Sequence, residues 1–144
     1  MHNLQTHRIA AQEKWHNLHN GEVPVIFVGT ASCGRAAGAL AVLGSIRKTL
    51  DEKQLRARVV EVGCIGPCYL EPLVDIQLPG KPRMSHANVT PEKARYLVTA
   101  YLTGDKPPLR SAVGYHGADG SQFADKVPRF FDLPMMKPQV RVVP

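Results

Sequence analysis

The order of the predicted elements constrains the fold of this chain more than any other feature. Residues 23–29 (VPVIFVG) form a short apolar run that is typical of a buried strand. Residues 35–53 repeat apolar side chains at three- and four-residue steps, which predicts a helix with one core-facing stripe. That stripe comprises Leu40, Leu43, Ile46 and Leu50. Residues 56–62 (RARVVEV) alternate and are β-branched, so a second strand completes a β-α-β unit.

A hairpin and a closing helix are predicted next. Residues 73–78 and 83–89 have strand character and are separated by a turn. Thr90 and Pro91 favour a helix start, since threonine caps a helix and proline suits its first position, and Gly104 ends that helix. Its apolar stripe comprises Tyr96, Leu97, Tyr101 and Leu102. The whole order predicts an α/β, thioredoxin-like domain with a mixed four-stranded sheet flanked by helices.

The two ends of the chain differ from this central domain. Residues 1–22 are polar and helix-like, without an apolar signal segment. Residues 105–144 contain six prolines and the glycine-rich segment GYHGADG, which predicts an extended connector arm. We therefore divide the chain into an N-terminal helix (1–22), the domain (23–104) and the arm (105–144). Because so long an arm needs a surface on which to pack, we expect assembly into something larger than a monomer.

Composition argues against several classes of function. Lys and Arg outnumber Asp and Glu by 18 to 12, but they are scattered among only four Phe, four Tyr and one Trp, so we expect no nucleic-acid partner. No segment approaches the ~20 apolar residues of a membrane helix, so we expect no membrane insertion and a cytoplasmic location. Three cysteines do not suit a disulfide framework. In a reducing compartment, cysteines in short motifs favour metal binding or redox chemistry.

Cys33 lies in the turn between the first strand and its helix, within GTASCGRAAGA. The amides at that helix start and the nearby Arg35 would both favour the thiolate. Small residues surround Cys33 in the sequence and would let a cofactor or a partner chain approach closely. These residues are Gly34, Ala36, Ala37 and Gly38. The alternative is a buried cysteine in a tightly packed helix.

Cys64 and Cys68 lie in GCIGPC, directly after the second strand. Two thiolates four residues apart on a glycine-rich loop can converge on one metal or on neighbouring atoms of a cluster. We expect Gly63 and Gly66 to turn this loop and to free its amides for hydrogen bonds to sulfur. Two unlinked thiols are the alternative. The ends of the first and second strands are neighbours in the predicted sheet, so Cys33 could join the other two at one site.

Four segments together resemble a known family. GCIGPCYLEPLVDIQLPG, with Pro72 after the loop, resembles the second cysteine motif of the thioredoxin-like 2Fe–2S ferredoxins, and HANVTPEKARYLVTAYLTGDKP resembles the segment that closes their fold. GTASCGRAAGALAVLGSIRKTL is similar to the first motif in flavoprotein subunits of complex I-like enzymes, such as NAD-reducing hydrogenases and NAD-dependent formate dehydrogenases. KVPRFFDLPMMKPQVRVV is similar to the connector that leads into their flavin domain. The resemblance covers residues 23–143.

This resemblance implies an electron-transfer or assembly module of a complex I-like NAD-linked oxidoreductase. Cys33, Cys64 and Cys68 would hold a 2Fe–2S cluster, and the partners would be other subunits, a flavin domain or further copies of the chain. The chain stops where the glycine-rich flavin- and NADH-binding segments of the family begin. We therefore expect it to form part of an NADH-linked oxidoreductase without NADH or flavin chemistry of its own.

The sequence departs from the family in its number of ligands. Family members with a cluster have four cysteines, and the fourth would fall near Phe27, Val28 or Gly38, none of which is a ligand. Ser32, His86 or another chain could supply the missing ligand.

Three further functions therefore stay open. The same fold could have lost its cluster and serve as a structural docking domain, or Cys33 could be the nucleophile of a thiol-redox protein. The three cysteines and His86 could also form a structural zinc site. The other histidines suggest no site. His2, His7, His16 and His19 lie on or near the first helix, where His16 and His19 could share a face but are expected to be solvated, and His116 lies in the arm.

Overall fold

The computed structural model describes residues 3–104, 108–117 and 126–140, so His2 lies outside the described residues. The helices α1 to α4 span Leu4–His19, Ser32–Ala36, Ala39–Glu52 and Pro91–Thr103. The strands β1 to β5 span Val25–Gly29, Arg58–Val62, Val74–Gln77, Arg83–His86 and Gly114–His116. In these ranges, no helix combines the length and the apolar character needed to cross a membrane.

A single mixed sheet organises the described residues, with the strand order β2-β1-β3-β4-β5. Strands β1 and β2 run parallel and are joined through helices, and Gly29 pairs with Val62 where both end. All the other neighbours are antiparallel, and β3 and β4 form the predicted hairpin. The predicted mixed sheet with flanking helices is confirmed.

The sheet has five strands rather than four, because β5 comes from the segment predicted as an extended arm. Gly114 pairs with Ser85, and the His116 Nε2 atom lies 2.7 Å from Ser85 Oγ, which fastens β5 to the edge of β4. Val127 and Phe130 farther along the arm are buried. A three-residue strand that starts with glycine is too short to give an alternating pattern, so the sequence did not reveal it.

The helix predicted over residues 35–53 is interrupted. Gly38 has a φ of 97°, in the left-handed region that favours glycine, and it separates α2 from α3. The five-residue helix α2 is therefore a unit of its own, and it carries Cys33. The segment between the two helices contains no proline, and a single glycine is tolerated within a helical pattern, which explains why the prediction joined the two helices.

The main core lies between α3, α4 and one face of the sheet. The sheet contributes Ile26, Val28, Val74, Ile76 and Met84, while the two helices contribute Val42, Leu43, Ile46, Leu50, Ala94, Leu97, Val98 and Tyr101. Leu40 and Tyr96 were predicted to face this core, but they are 50% and 59% exposed. Each lies one position away from the buried stripe of its helix. Helix α1 differs from α3 and α4 in that it contains no buried residue.

His86 belongs to this core, so its prediction as a metal ligand is wrong. The imidazole is fully buried, with Nδ1 3.0 Å from the Ser111 carbonyl oxygen and Nε2 2.9 Å from the Tyr101 hydroxyl. A carbonyl only accepts, so Nδ1 carries the proton and Nε2 accepts from Tyr101. Burial lowers the pKa of His86 to about 4, which keeps the ring neutral.

This neutral histidine predicts a loss of stability in acid. The pKa of His86 in the folded chain, about 4, lies below its usual value of 6.5, so the unfolded chain takes up the proton first. We expect the free energy of unfolding to fall between pH 6.5 and 4 by up to about 3 kcal/mol from this group. Urea unfolding across that pH range measures the slope.

Two variants test whether His86 causes this dependence of the free energy of unfolding on pH. His86→Gln should remove this part of the pH dependence, whereas His16→Gln on the exposed surface of α1 should keep it. An identical slope in His86→Gln and the unmodified protein would contradict the prediction.

Candidate metal centre

The pairing of β1 with β2 places the cysteine segments side by side. The ladder extends one residue beyond β1, since the Thr30 amide donates to the Val62 carbonyl at 3.1 Å. Helix α2 with Cys33 begins after β1, and the loop with Cys64 and Cys68 begins after β2. The three sulfur atoms lie within 4.8 Å of one another. The structure therefore brings the three predicted residues together.

The loop that carries Cys64 and Cys68 is held in a tight turn. Gly66 has a φ of 120°, and its amide donates to Cys64 Sγ at 3.3 Å, as predicted for this glycine. The two sulfur atoms lie 3.5 Å apart, and Cys68 starts a short 3₁₀ turn. Gly63 does not turn the loop in the same way, because its φ lies outside the left-handed region that only glycine adopts readily. The turn at Gly66 therefore brings the two thiols together.

Cys64 and Cys68 do not hold their protons equally. The Gly66 amide is the main cause that lowers the pKa of Cys64. Hydrogen bonds with Cys64 and Cys33 raise the pKa of Cys68 to about 11. A bound metal would displace these protons, because thiolates and not thiols are metal ligands. The cluster of sulfurs is thus suited to exchange protons for a cation.

Cys33 is half-buried because α2 lies directly against the end of β1. An ideal Cβ added at Gly34 would come within 2.1 Å of the Gly29 carbonyl oxygen, so this close approach requires glycine. Arg35, which was predicted to favour the thiolate, directs its Nε to the Thr30 carbonyl at 2.9 Å and so fastens the turn before the helix. Together, these contacts fix the position of Cys33.

The sequence analysis missed Glu71, which follows the cysteine loop by three residues. Its carboxylate is buried, with Oε2 accepting from the Leu73 amide at 2.7 Å and Oε1 4.0 Å from Cys33 Sγ. Burial raises the pKa of Glu71. An acidic residue within the otherwise uncharged segment GCIGPCYLEPLV was a signal that could have pointed to it.

Of the other proposed ligands, Ser32 is exposed as the first residue of α2 and His86 lies in the core. Over the described residues, the three cysteines are the one group of three or more His, Cys, Asp or Glu side chains placed to hold a metal. This arrangement can bind a metal ion or part of a cluster, with an acid beside one of its sulfurs.

The chain is similar in sequence to a subunit of a hydrogenase. The NADP-reducing hydrogenase subunit HndB of Solidesulfovibrio fructosivorans is 33% identical over 89 residues, which cover 61% of this chain and 70% of that protein. No protein-family model matches the chain.

Solved structures share the fold. The wild-type thioredoxin-like 2Fe–2S ferredoxin of Aquifex aeolicus has a TM-score of 0.54 and 20% identity, and the match covers 65% of this chain and 99% of that one. A second structure of such a ferredoxin from the same organism has a TM-score of 0.56 and 17% identity, covering 69% and 98%. The predicted thioredoxin-like fold is confirmed.

The close contact at Gly34 predicts a strong effect of one methyl group. We expect Gly34→Ala to lower the free energy of unfolding by about 2 kcal/mol, because the backbone of β1 and α2 must separate. Gly44→Ala is the matched control, since Gly44 is exposed in α3 and an added Cβ meets nothing within 4 Å. It should raise stability by about 0.5–1 kcal/mol. Urea unfolding of both variants measures the difference, and equal midpoints would contradict it.

Proposed function

The chain belongs to the family of the NADP-reducing hydrogenase subunit HndB, and from this premise we propose that it is an electron-transfer subunit of a complex I-like, NAD(P)-linked oxidoreductase. In this proposal, Cys33, Cys64 and Cys68 hold a 2Fe–2S cluster. The observation that carries the proposal is the convergence of these three thiols from two separate loops. The fold that it shares with 2Fe–2S ferredoxins supports the same choice of cofactor.

The three cysteines supply three of the four protein ligands that such a cluster needs. Two sulfurs bound to one tetrahedral metal lie roughly 3.8 Å apart when the metal–sulfur bonds are about 2.3 Å long. Cys64 Sγ and Cys68 Sγ, at 3.5 Å, have nearly this separation, which suits them to one iron. Cys33 comes from another element, and in this proposal it binds the second iron. The Gly66 amide already donates to Cys64 Sγ, and such hydrogen bonds tune the reduction potential of a cluster.

The cluster, when bound, supplies one-electron transfer, and the chain supplies its position. Cys64 and Cys68 are exposed, so this side of the site is open to a redox partner. Cys33 is more covered and is fixed by the contact between Gly34 and Gly29. The chain thus holds the electron carrier near its surface, while NADH and flavin chemistry belongs to other subunits.

The relative HndB is named as a subunit of a hydrogenase, which supports a role for this chain inside a multi-subunit enzyme. We propose that the partners are other subunits or a flavin domain, or further copies of this chain, and that neither nucleic acid nor membrane insertion is involved. Three free thiols suit a reducing compartment, which supports a cytoplasmic location. The division at residues 22 and 104 into helix, domain and connector stays a prediction.

A docking domain without a cluster is the second candidate function. The observation that favours it is the number of cysteines, since a cluster needs four protein ligands and this chain has three. The two functions differ in iron content and in colour. Thiol-redox chemistry at Cys33 would differ from both, because it needs turnover of a small disulfide by a metal-free protein.

Iron and sulfide analysis after anaerobic purification tests the proposed function. We expect about two iron and two sulfide ions per chain, with a visible band that dithionite bleaches and NADPH alone does not. Cys64→Ser should lose most of the iron because it removes a ligand. Tyr69→Phe is the matched control, since its exposed side chain adjoins Cys68, and it should keep the iron. A colourless, iron-free protein would favour the docking domain, and stoichiometric zinc would overturn the cluster.

A further inference from the structure

We propose that Glu71 is the fourth protein ligand of the cluster, binding through Oε1 to the iron that Cys33 holds. The inference rests on the proposed function and completes its ligand set. It replaces Ser32 and His86, the two residues that the sequence offered for this role.

The missing ligand is needed beside Cys33. Cys64 and Cys68 form a close pair, and a 2Fe–2S cluster takes two protein ligands on each iron. Cys33 therefore requires a companion from elsewhere in the chain or from a partner. Glu71 Oε1 lies 4.0 Å from Cys33 Sγ. Oxygen and sulfur ligands of one tetrahedral metal lie roughly 3.5 Å apart for bonds of about 2.1 and 2.3 Å.

The carboxylate is held ready for such a role. Oε2 accepts from the Leu73 amide at 2.7 Å, which anchors one oxygen and directs the other toward Cys33. The Glu71 side chain is only slightly accessible, because the residue as a whole is 6% exposed. A long acidic side chain fixed in this way loses little further freedom when it binds a metal.

Two glycines leave the space that the carboxylate occupies. An ideal Cβ added at Gly29 would lie 2.8 Å from Glu71 Oε2 and 2.9 Å from Oε1. A Cβ at Gly34 would lie 3.3 Å from Oε2. The ends of β1 and α2 therefore lack side chains where Glu71 reaches Cys33. The space left by these two glycines is therefore filled by the carboxylate of Glu71.

The charge of the buried Glu71 carboxylate is the reason to expect a metal ion beside it. A buried carboxylate is costly unless a cation or a metal compensates it. Among the residues that the structure describes, no Lys, Arg or His forms an ion pair with Glu71. Asp75, a buried acid on β3, has Arg83 as its positive partner. An iron ion at Cys33 would give Glu71 the positive partner that it lacks.

Four variants in anaerobically reconstituted full-length protein test the inference. Glu71→Gln keeps an oxygen for the Leu73 amide but is a neutral, weaker ligand, and Glu71→Cys supplies a fourth thiolate. Glu61→Gln removes the same charge from an exposed site on β2, and Ser32→Ala removes the competing ligand. Iron and sulfide content, the half-life of the visible band in a chelator, and the electron paramagnetic resonance spectrum of the reduced protein are recorded for each.

We expect Glu71→Gln to shorten the half-life by at least about tenfold, while Glu61→Gln and Ser32→Ala match the unmodified protein. Glu71→Cys should keep the cluster and change its g-values, because sulfur replaces oxygen on one iron. Urea unfolding of the metal-free variants checks that each variant still folds. If Glu71→Gln does not fold, the inference is tested by comparing the g-values of Glu71→Cys with those of the unmodified protein.

Two results overturn the inference separately from the proposed function. Unmodified protein with a full cluster, together with a Glu71→Gln variant of equal half-life and identical spectrum, would remove Glu71 from the ligand set and leave the cluster proposal intact. A Glu71→Cys spectrum identical to that of the unmodified protein would do the same. An unmodified protein that takes up no iron would overturn both proposals.

Discussion

The parallel pairing of β1 and β2 is the interaction on which the rest of the structure depends. Because Gly29 and Val62 end their strands at the same level, the chain leaves the sheet twice at one edge. The first exit leads into α2 and the second into the loop of Cys64 and Cys68. A register shift of one residue would move the two exits apart and reverse which β2 side chains face α3. The site is therefore a property of the sheet and not of either loop alone.

Much of the fold could be predicted from local patterns. The alternating run before Val62 and the caps of α4 at Thr90 and Gly104 gave elements close to those observed. The interruption at Gly38 was hidden, because no proline marks it and a single glycine is tolerated within a helix, so that only the left-handed φ reveals it. Strand β5 was hidden for another reason, since its pairing with β4 is non-local and its sequence is too short to show a period.

The candidate site was predicted in part. The predicted and the observed sites differ at two buried titratable residues, His86 and Glu71. The spacing of Cys64 and Cys68 and the predicted order of the strands sufficed to group the three thiols. The fourth ligand was left open between Ser32, His86 and another chain, because burial was not known, and Glu71 was missed. His86 satisfies both ring nitrogens within the core and has no atom left for a metal. Glu71 satisfies one oxygen through the Leu73 amide, and its other oxygen faces a thiol. Only the three-dimensional partners of each group separate a structural residue from a ligand.

The exposure of α1 has a consequence for heating. Leu4–His19 forms sixteen residues of helix with no buried side chain, capped by Asn3 and joined to the sheet by the bond from Gln77 to the His19 carbonyl. A helix of this length without a packed face is marginal in water. The α1 segment should thus fray over a broad temperature range below the cooperative melting of the sheet. The loss of helical ellipticity below the cooperative transition then reports mainly on α1, and a partner surface that orders this helix would abolish that early loss.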